Sequence, residues 1–239
     1  MDLRYLISGD TSITLELGNE ISEDINQKVR RMTIAIKQSK INGIIELIPT
    51  YRSIKIDYDP CKIKFDTLVK KLDILKENIL AIDFERPRVI EIPVLYKGPD
   101  LKYVSEYNNI SVDEVIEIHS SKKYLIYMLG FTPGFPYLGG MNEKIITPRL
   151  KEPRSKIEAG SIGIAGNQTG IYPMESPGGW QLIGKTPLKL FDYEKEDPFL
   201  FESGDYMKFV SIDQRTFDDI KAKVEQNKFQ VKTYLKEVE

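Results

Sequence analysis

Two residue types that carry much of enzyme chemistry are nearly missing from this 239-residue sequence: Cys61 is its only cysteine and His119 its only histidine. A disulfide framework within the chain and a Cys/His zinc site are therefore excluded, and no metal site is predicted. A Cys–His nucleophilic pair would need these two residues together, and Ser–His–Asp chemistry could use only His119. Long apolar runs are missing too. Nowhere do the roughly 18 consecutive apolar residues of a membrane span occur. The first segment, MDLRYLISGDTSITLEL, meets Asp10 and Glu16 before any such run, which predicts neither signal peptide nor anchor. An excess of one charge is also lacking, since 34 basic and 36 acidic residues leave a net charge of −2. That balance gives no reason to expect nucleic acid or a membrane as partner. With 41% hydrophobic and 29% charged residues, a cytoplasmic globular protein is the expectation.

What is present falls into two patterns. Leu3 to Ile7 and Ser12 to Leu17 read as short strands around a Ser8-Gly9-Asp10 turn. Ser22 offers an N-cap to a helix with Ile25, Val29, Met32 and Ile36 on one face, ended near Gly43. Ile44 to Ile48 and Ser53 to Tyr58 are strand-like, and Phe65, Leu68, Leu72 and Leu75 mark a second amphipathic helix. The order predicts a small α/β sandwich, with one sheet covered by helices, over residues 1–87. Past Arg86-Pro87 the pattern changes. Val89 to Leu95 reads as a strand, Asp100 to Asn108 as a short helix, and Ser111-Val112-Asp113-Glu114 as a capping box opening a helix to His119. Strands are expected at Tyr124 to Leu129, Ile162 to Ala165, Gly179 to Ile183, Leu188 to Phe191 and Tyr206 to Val210, then a last helix over about Asp213 to Asn227. The fold class is thus α+β, with a β-barrel-like domain and a terminal helix over residues 88–239.

The chemistry is concentrated in one tract. Eleven of the 16 glycines and seven of the 13 prolines lie between Gly130 and Pro187. In GFTPGFPYLGG, Phe131, Phe135 and Tyr137 stand beside Pro133 and Gly134, which predicts a stiff, irregular loop with aromatic faces held at set angles. Downstream, Gln168 and Thr169 offer hydrogen bonds to an amide or carboxylate, followed by Tyr172 and by the loop Pro177, Gly178, Gly179 and Trp180. A concave site with aromatic walls and a few polar groups suits a small planar ligand. The competing reading is that these glycines mark barrel corners and the aromatics fill a core.

Three further features have two readings each. Arg149, Lys151, Arg154 and Lys156 alternate with acids and prolines, which by charge pattern is a solvated hairpin. The functional reading is a cationic lip for phosphate or carboxylate, with Arg149 and Arg154 the better forks. Gly179 to Thr186 matches the P-loop pattern G-x-x-x-x-G-K-[ST], but Trp180, Gln181, Leu182 and Ile183 would themselves form a strand, and the motif is rejected. His119 is a possible site residue, read first as a helix C-terminal residue favoured by the macrodipole.

The strings ELIPTYRSIKIDYDP, HSSKKYLIYMLGFTPGFPYLGG, PRLKEPRSKIEAGSIGIAGNQTGIYP and SPGGWQLIGKTPLKLFD resemble the family of 5-oxoprolinase B-type subunits. That family also takes in KipI-type kinase inhibitors and the allophanate hydrolase subunit 1 type, also found as a carboxyltransferase subdomain of urea carboxylase. The resemblance covers nearly the whole chain. It implies a cyclophilin-like β-barrel domain after the small α/β domain. It also implies a role in the ATP-dependent opening of 5-oxo-L-proline to L-glutamate, an amide hydrolysis. ATP with Mg would act in a hetero-oligomeric complex with a C-type and a lactam-utilisation A-type subunit, without activity of this chain alone. The alternatives within the family are inhibition of a sensor histidine kinase and a urea carboxylase or allophanate hydrolase component. Two departures stand out: the segment Tyr96-Lys97-Gly98-Pro99-Asp100 is contracted, which would reshape a pocket edge or subunit contact. Ile157-Glu158 replaces the usual Val-Pro, which puts a carboxylate near the cationic lip.

Overall fold

The computed structural model describes residues 3–77, 79–82 and 86–237. The chain forms two compact units, Met1–Glu85 and Arg86–Glu239.

In the first unit, β1 (Arg4–Ile7) and β2 (Ser12–Glu16) form a hairpin, followed by α1 (Glu23–Ser39), β3 (Ile44–Pro49), β4 (Ser53–Tyr58) and α2 (Phe65–Lys76). The antiparallel sheet runs β1-β2-β4-β3. Alternation decides its faces: Ile13, Leu15, Ile54 and Ile56 are fully buried against Val29, Met32 and Leu68 of the helices. The Ser22 hydroxyl accepts from the Ile25 N–H and starts α1, and Lys40 ends it in the left-handed conformation. Gly43 therefore lies past the helix end rather than at it.

The second unit opens with β5 (Arg88–Val94), α3 (Leu101–Asn108) and α4 (Val112–Ser121), the last begun by a complete Ser111–Glu114 capping box. Then come β6 (Lys123–Leu129), β7 (Pro136–Gly139), β8 (Arg154–Ile157), β9 (Ser161–Ala165), β10 (Gln168–Ile171), β11 (Ser176–Gly178) and β12 (Gln181–Lys185). β13 (Tyr206–Ser211), α5 (Gln214–Glu225) and β14 (Thr233–Leu235) complete it. Among the described residues the strands form three sheets, β14-β5-β13-β6-β7, β10-β9-β12 and β11-β8, rather than one closed ring. The fold is mixed α and β around a core that includes Ile92, Val104, Tyr124, Ile164, Ile183 and Phe209.

Several sequence expectations change here. GFTPGFPYLGG is a loop only in its first half, because Pro136–Gly139 pairs with β6 as an edge strand, where a proline lacking its N–H is tolerated. The charged stretch is not a hairpin on itself: its β8 pairs with the distant β11. Gly179 and Trp180 precede the strand that begins at Gln181. Leu188 to Phe191 is no strand. Leu188 and Leu190 are buried, but among the described residues the segment makes one bridge, Phe191 to Phe199. Its apolar alternation serves packing, and Pro187 has removed one donor from any ladder.

Candidate functional site

The three-stranded sheet β10-β9-β12 sorts the chemical tract by alternation. Ile162, Ile164, Ile171 and Ile183 face the main core. Ala165, Tyr172, Trp180 and Leu182 belong to a second cluster with Phe135 and Ile157, against which Tyr137 packs. Two glycines make room for it. A Cβ at Gly163 would stand 3.0 Å from the Trp180 Cβ, and one at Gly170 3.1 Å from its indole ring. Sequence reasoning missed this glycine track, although Gly163 and Gly170 stand opposite each other in the β9–β10 register.

Phe135 is the hub of the aromatic face. Its ring centroid lies 5.3 Å from Tyr137, 5.6 Å from Tyr172, 5.5 Å from Trp180 and 5.7 Å from Phe131. The rings meet edge to face or tilted, the arrangement their quadrupoles favour. These aromatics are therefore brought together, but as a packed cluster and not as two walls across a gap. Phe135 and Tyr172 are each 2% exposed. Phe131 differs: it is exposed and holds φ +66°, a left-handed conformation costly for a bulky residue. Pro133 and Pro177 are exposed, Gly178 and Gly179 half-buried, and Gly134 is buried beneath Phe191.

Replacing Gly170 with alanine tests the track. Trp180, the only tryptophan, must tilt by a few tenths of an ångström. The expected outcome is a loss of about 1 kcal/mol with a shift in its fluorescence. Unchanged emission and unchanged stability would show that the ring does not rest there.

The two polar residues of the tract separate. Gln168 lies in register with the aromatic face and is half-buried. Thr169 points to the other side, is 1% exposed, and donates to the Gly163 carbonyl at 3.1 Å. Its oxygen also meets His119 Nε2 at 2.8 Å. Thr169 is thus a core link and not a ligand contact. Because its one proton goes to Gly163, His119 Nε2 must donate, and Nδ1 accepts from the Tyr96 hydroxyl at 2.7 Å. His119 stacks on Phe209 with centroids 4.4 Å apart and is fully buried. Burial pushes its pKa down to about 3, so it is neutral. The macrodipole explanation fails for that reason, and the residue is structural.

The arginines also part. The Arg154 guanidinium donates to both Asp100 carboxylate oxygens at 2.7 and 2.8 Å and to the Trp180 carbonyl at 3.2 Å. Asp100 accepts from the Leu182 N–H as well, at 2.6 Å. Arg154 is a brace for β12 rather than a cationic lip. Arg149 is exposed. Burial raises the pKa of the Tyr172 hydroxyl, opposed by the Trp180 N–H and by the charges of Arg149 and Arg154.

At one edge of the aromatic face the surface opens. A cleft of about 350 Å³ has Ile157 and Leu182 of the aromatic cluster in its floor, with Phe217 of α5 beside them. Lys97, Lys156, Glu158, Ser161 and Lys185 provide its polar groups. The contracted segment forms one wall: Gly98 N–H donates to Ile183 O at 3.1 Å and Asp100 N–H to Leu182 O at 2.9 Å. A Cβ at Gly98 would stand 2.2 Å from the Leu182 carbonyl oxygen, so this close approach admits only glycine. The P-loop look-alike ends here as β12, with Lys185 paired to Glu158.

The described residues contain no group of three or more His, Cys, Asp or Glu placed to hold a metal ion. No helix among them is long and apolar enough to cross a membrane.

A family model, carboxyltransferase domain, subdomain C and D, matches residues 3–201. The B-type subunit of 5-oxoprolinase from Bacillus subtilis (strain 168) is 42% identical over 233 residues, covering 91% of this chain and 97% of that protein. The solved structure of TTHA0988 superposes with a TM-score of 0.76 at 34% identity, over 84% of this chain and 40% of that one. The present chain therefore spans less than half of that structure. Urea amidolyase from K. lactis superposes with a TM-score of 0.79 over 97% of this chain and 16% of that one. At 21% identity this likeness concerns the fold alone.

Proposed function

Because the chain belongs to the family of 5-oxoprolinase B-type subunits, among the proteins built on carboxyltransferase subdomains C and D, we propose that it is one subunit of an ATP-dependent 5-oxoprolinase. That enzyme hydrolyses 5-oxo-L-proline to L-glutamate. The observation that carries this reading is the match to a 5-oxoprolinase B-type subunit along nearly the full length of both chains. On the same resemblance, the second unit is taken as a cyclophilin-like domain, the protein as cytoplasmic, and a C-type and a lactam-utilisation A-type subunit as partners.

A lactam carbonyl is a poor electrophile, and ATP, when bound in the assembled complex, supplies the activation that lets water attack it. The one string with P-loop spacing is a strand whose Leu182 and Ile183 are buried and so cannot wrap a phosphate. We therefore assign this chain no phosphoryl-transfer step. Its part is to bind and orient a small planar amide, whose ring and amide would meet the face of Phe131, Tyr137 and Gln168 near Arg149, while which part of the surface holds its carboxylate is a separate question.

Mixing the purified subunits with ATP and 5-oxo-L-proline tests the reading. Glutamate is expected only when this chain is present, and about tenfold more slowly with Gln168→Ala, the loss of one hydrogen bond to substrate. Equal glutamate formation without the chain would overturn the function. An unaltered rate in the variant would remove only Gln168.

A further inference from the structure

The cleft beside the aromatic face has a composition that the packed rings lack. Three ammonium groups, from Lys97, Lys156 and Lys185, line it with one carboxylate, Glu158, and Lys156 is itself paired with Glu175 at 2.8 Å. Among the described residues Lys97 reaches only the neutral side chain of Gln214, at 3.4 Å. Lys185 is paired with Glu158, whose side chain is 69% exposed, and Lys185 holds that carboxyl below its usual range. An ion pair so open to water is weak and readily exchanged.

A second observation comes from Ser161. It is 7% exposed, and its hydroxyl makes no hydrogen bond with the described residues. Its oxygen is reached by solvent from the cleft and so stands ready for a ligand. Ser161 pairs across the strands with Lys185, so the two side chains share one face of the sheet, the face that opens into the cleft. The floor is apolar, and the volume is that of a small-molecule site.

We propose that this cleft binds a small organic carboxylate with a compact apolar body. The ligand's carboxylate takes the place of Glu158 on Lys185 and accepts a hydrogen bond from the Ser161 hydroxyl. Its body lies on Ile157, Leu182 and Phe217, and Lys97 strengthens the field. Identifying that carboxylate as 5-oxo-L-proline rests on the functional reading above; the anion site itself does not.

Calorimetric titration of the full chain with 5-oxo-L-proline, benzoate and the uncharged amide of each tests the proposal. Both acids are expected to bind, each amide at least about tenfold more weakly, as loss of one charge-assisted contact implies. Ser161→Ala, Lys97→Gln and Lys185→Gln should each weaken binding about fivefold while leaving thermal unfolding unchanged. Were Ser161→Ala to fold poorly, the two lysine variants decide alone. Binding of benzoate but not 5-oxo-L-proline, with the same response to the variants, supports the anion site and overturns the substrate assignment. If neither acid binds at several millimolar, or if the variants bind as the parent does, the proposal falls.

Discussion

Phe135→Ala is expected to cost about 3–5 kcal/mol, the usual penalty for emptying a buried aromatic position. Four rings converge on this side chain, from Phe131, Tyr137, Tyr172 and Trp180. Alanine would leave a void that the surrounding strands cannot close. β7 is held by β6, and the sheet carrying Tyr172 and Trp180 is held by its own register. For a unit of this size each kcal/mol moves the melting temperature by about 2–4 °C, so a drop of roughly 10 °C should be seen. Trp180 emission should shift in the same variant, because one side of its ring loses its neighbour. Phe131→Ala provides the contrast. That ring is 68% exposed, and its removal should change stability by under about 0.5 kcal/mol. A Phe135→Ala protein that melts within about 2 °C of the parent would show that the cluster is not a cooperative core.

The second large effect is a dependence on acid. His119 has a pKa of about 3 in the folded protein against 6.5 when free, a depression caused by burial. Above pH 6.5 both states are neutral at this residue, and its contribution is fully present. Below pH 6.5 the unfolded chain takes up a proton that the folded protein refuses, so stability falls with pH down to about 3. Between pH 7 and pH 4 the loss amounts to about 3 kcal/mol, at 1.36 kcal/mol per pH unit below the free pKa. Protonation at Nδ1 would also place a proton against the one donated by Tyr96, whose own pKa burial holds well above normal. Other groups contribute to acid unfolding, so the measurement is a difference. Denaturant unfolding of the parent and of His119→Gln should give stabilities whose gap narrows by about 3 kcal/mol from pH 7 to pH 4. A gap that stays constant would mean that His119 is protonated in the folded protein.

Local features were legible from residues close together in the chain. Ser22 and Ser111 cap their helices because a cap needs only a side chain and the next turn of backbone. The rejected P-loop was legible for a similar reason, since Trp180, Leu182 and Ile183 are too large and apolar to wrap a phosphate. The lone cysteine and histidine limited the chemistry before any fold was considered.

Pairings between distant segments were not legible. β7 was read as part of a loop and β8 as part of a hairpin on its own stretch, because the strands that hold them, β6 and β11, confer their pairing. Gln168 and Thr169 looked like one polar pair, yet a strand turns successive side chains to opposite faces. Only pairing with β9 reveals that Gln168 shares the aromatic face and that Thr169 meets His119, 50 residues away. Arg154 looked free for a ligand until Asp100, 54 residues away, came against it. The cleft depends on three such approaches at once: Gly98 on β12, Lys185 beside Ser161, and Phe217 from the last helix.

The sequence by itself thus determined which chemistries are unavailable, where the helices begin, and which tract carries the aromatics, glycines and polar groups. Tertiary structure decided which of those residues face one another, which are engaged by the fold, and where the surface opens. The reason is physical: caps and periodicity act within a few residues, whereas cross-strand register and ion pairing are set between segments that only folding brings together.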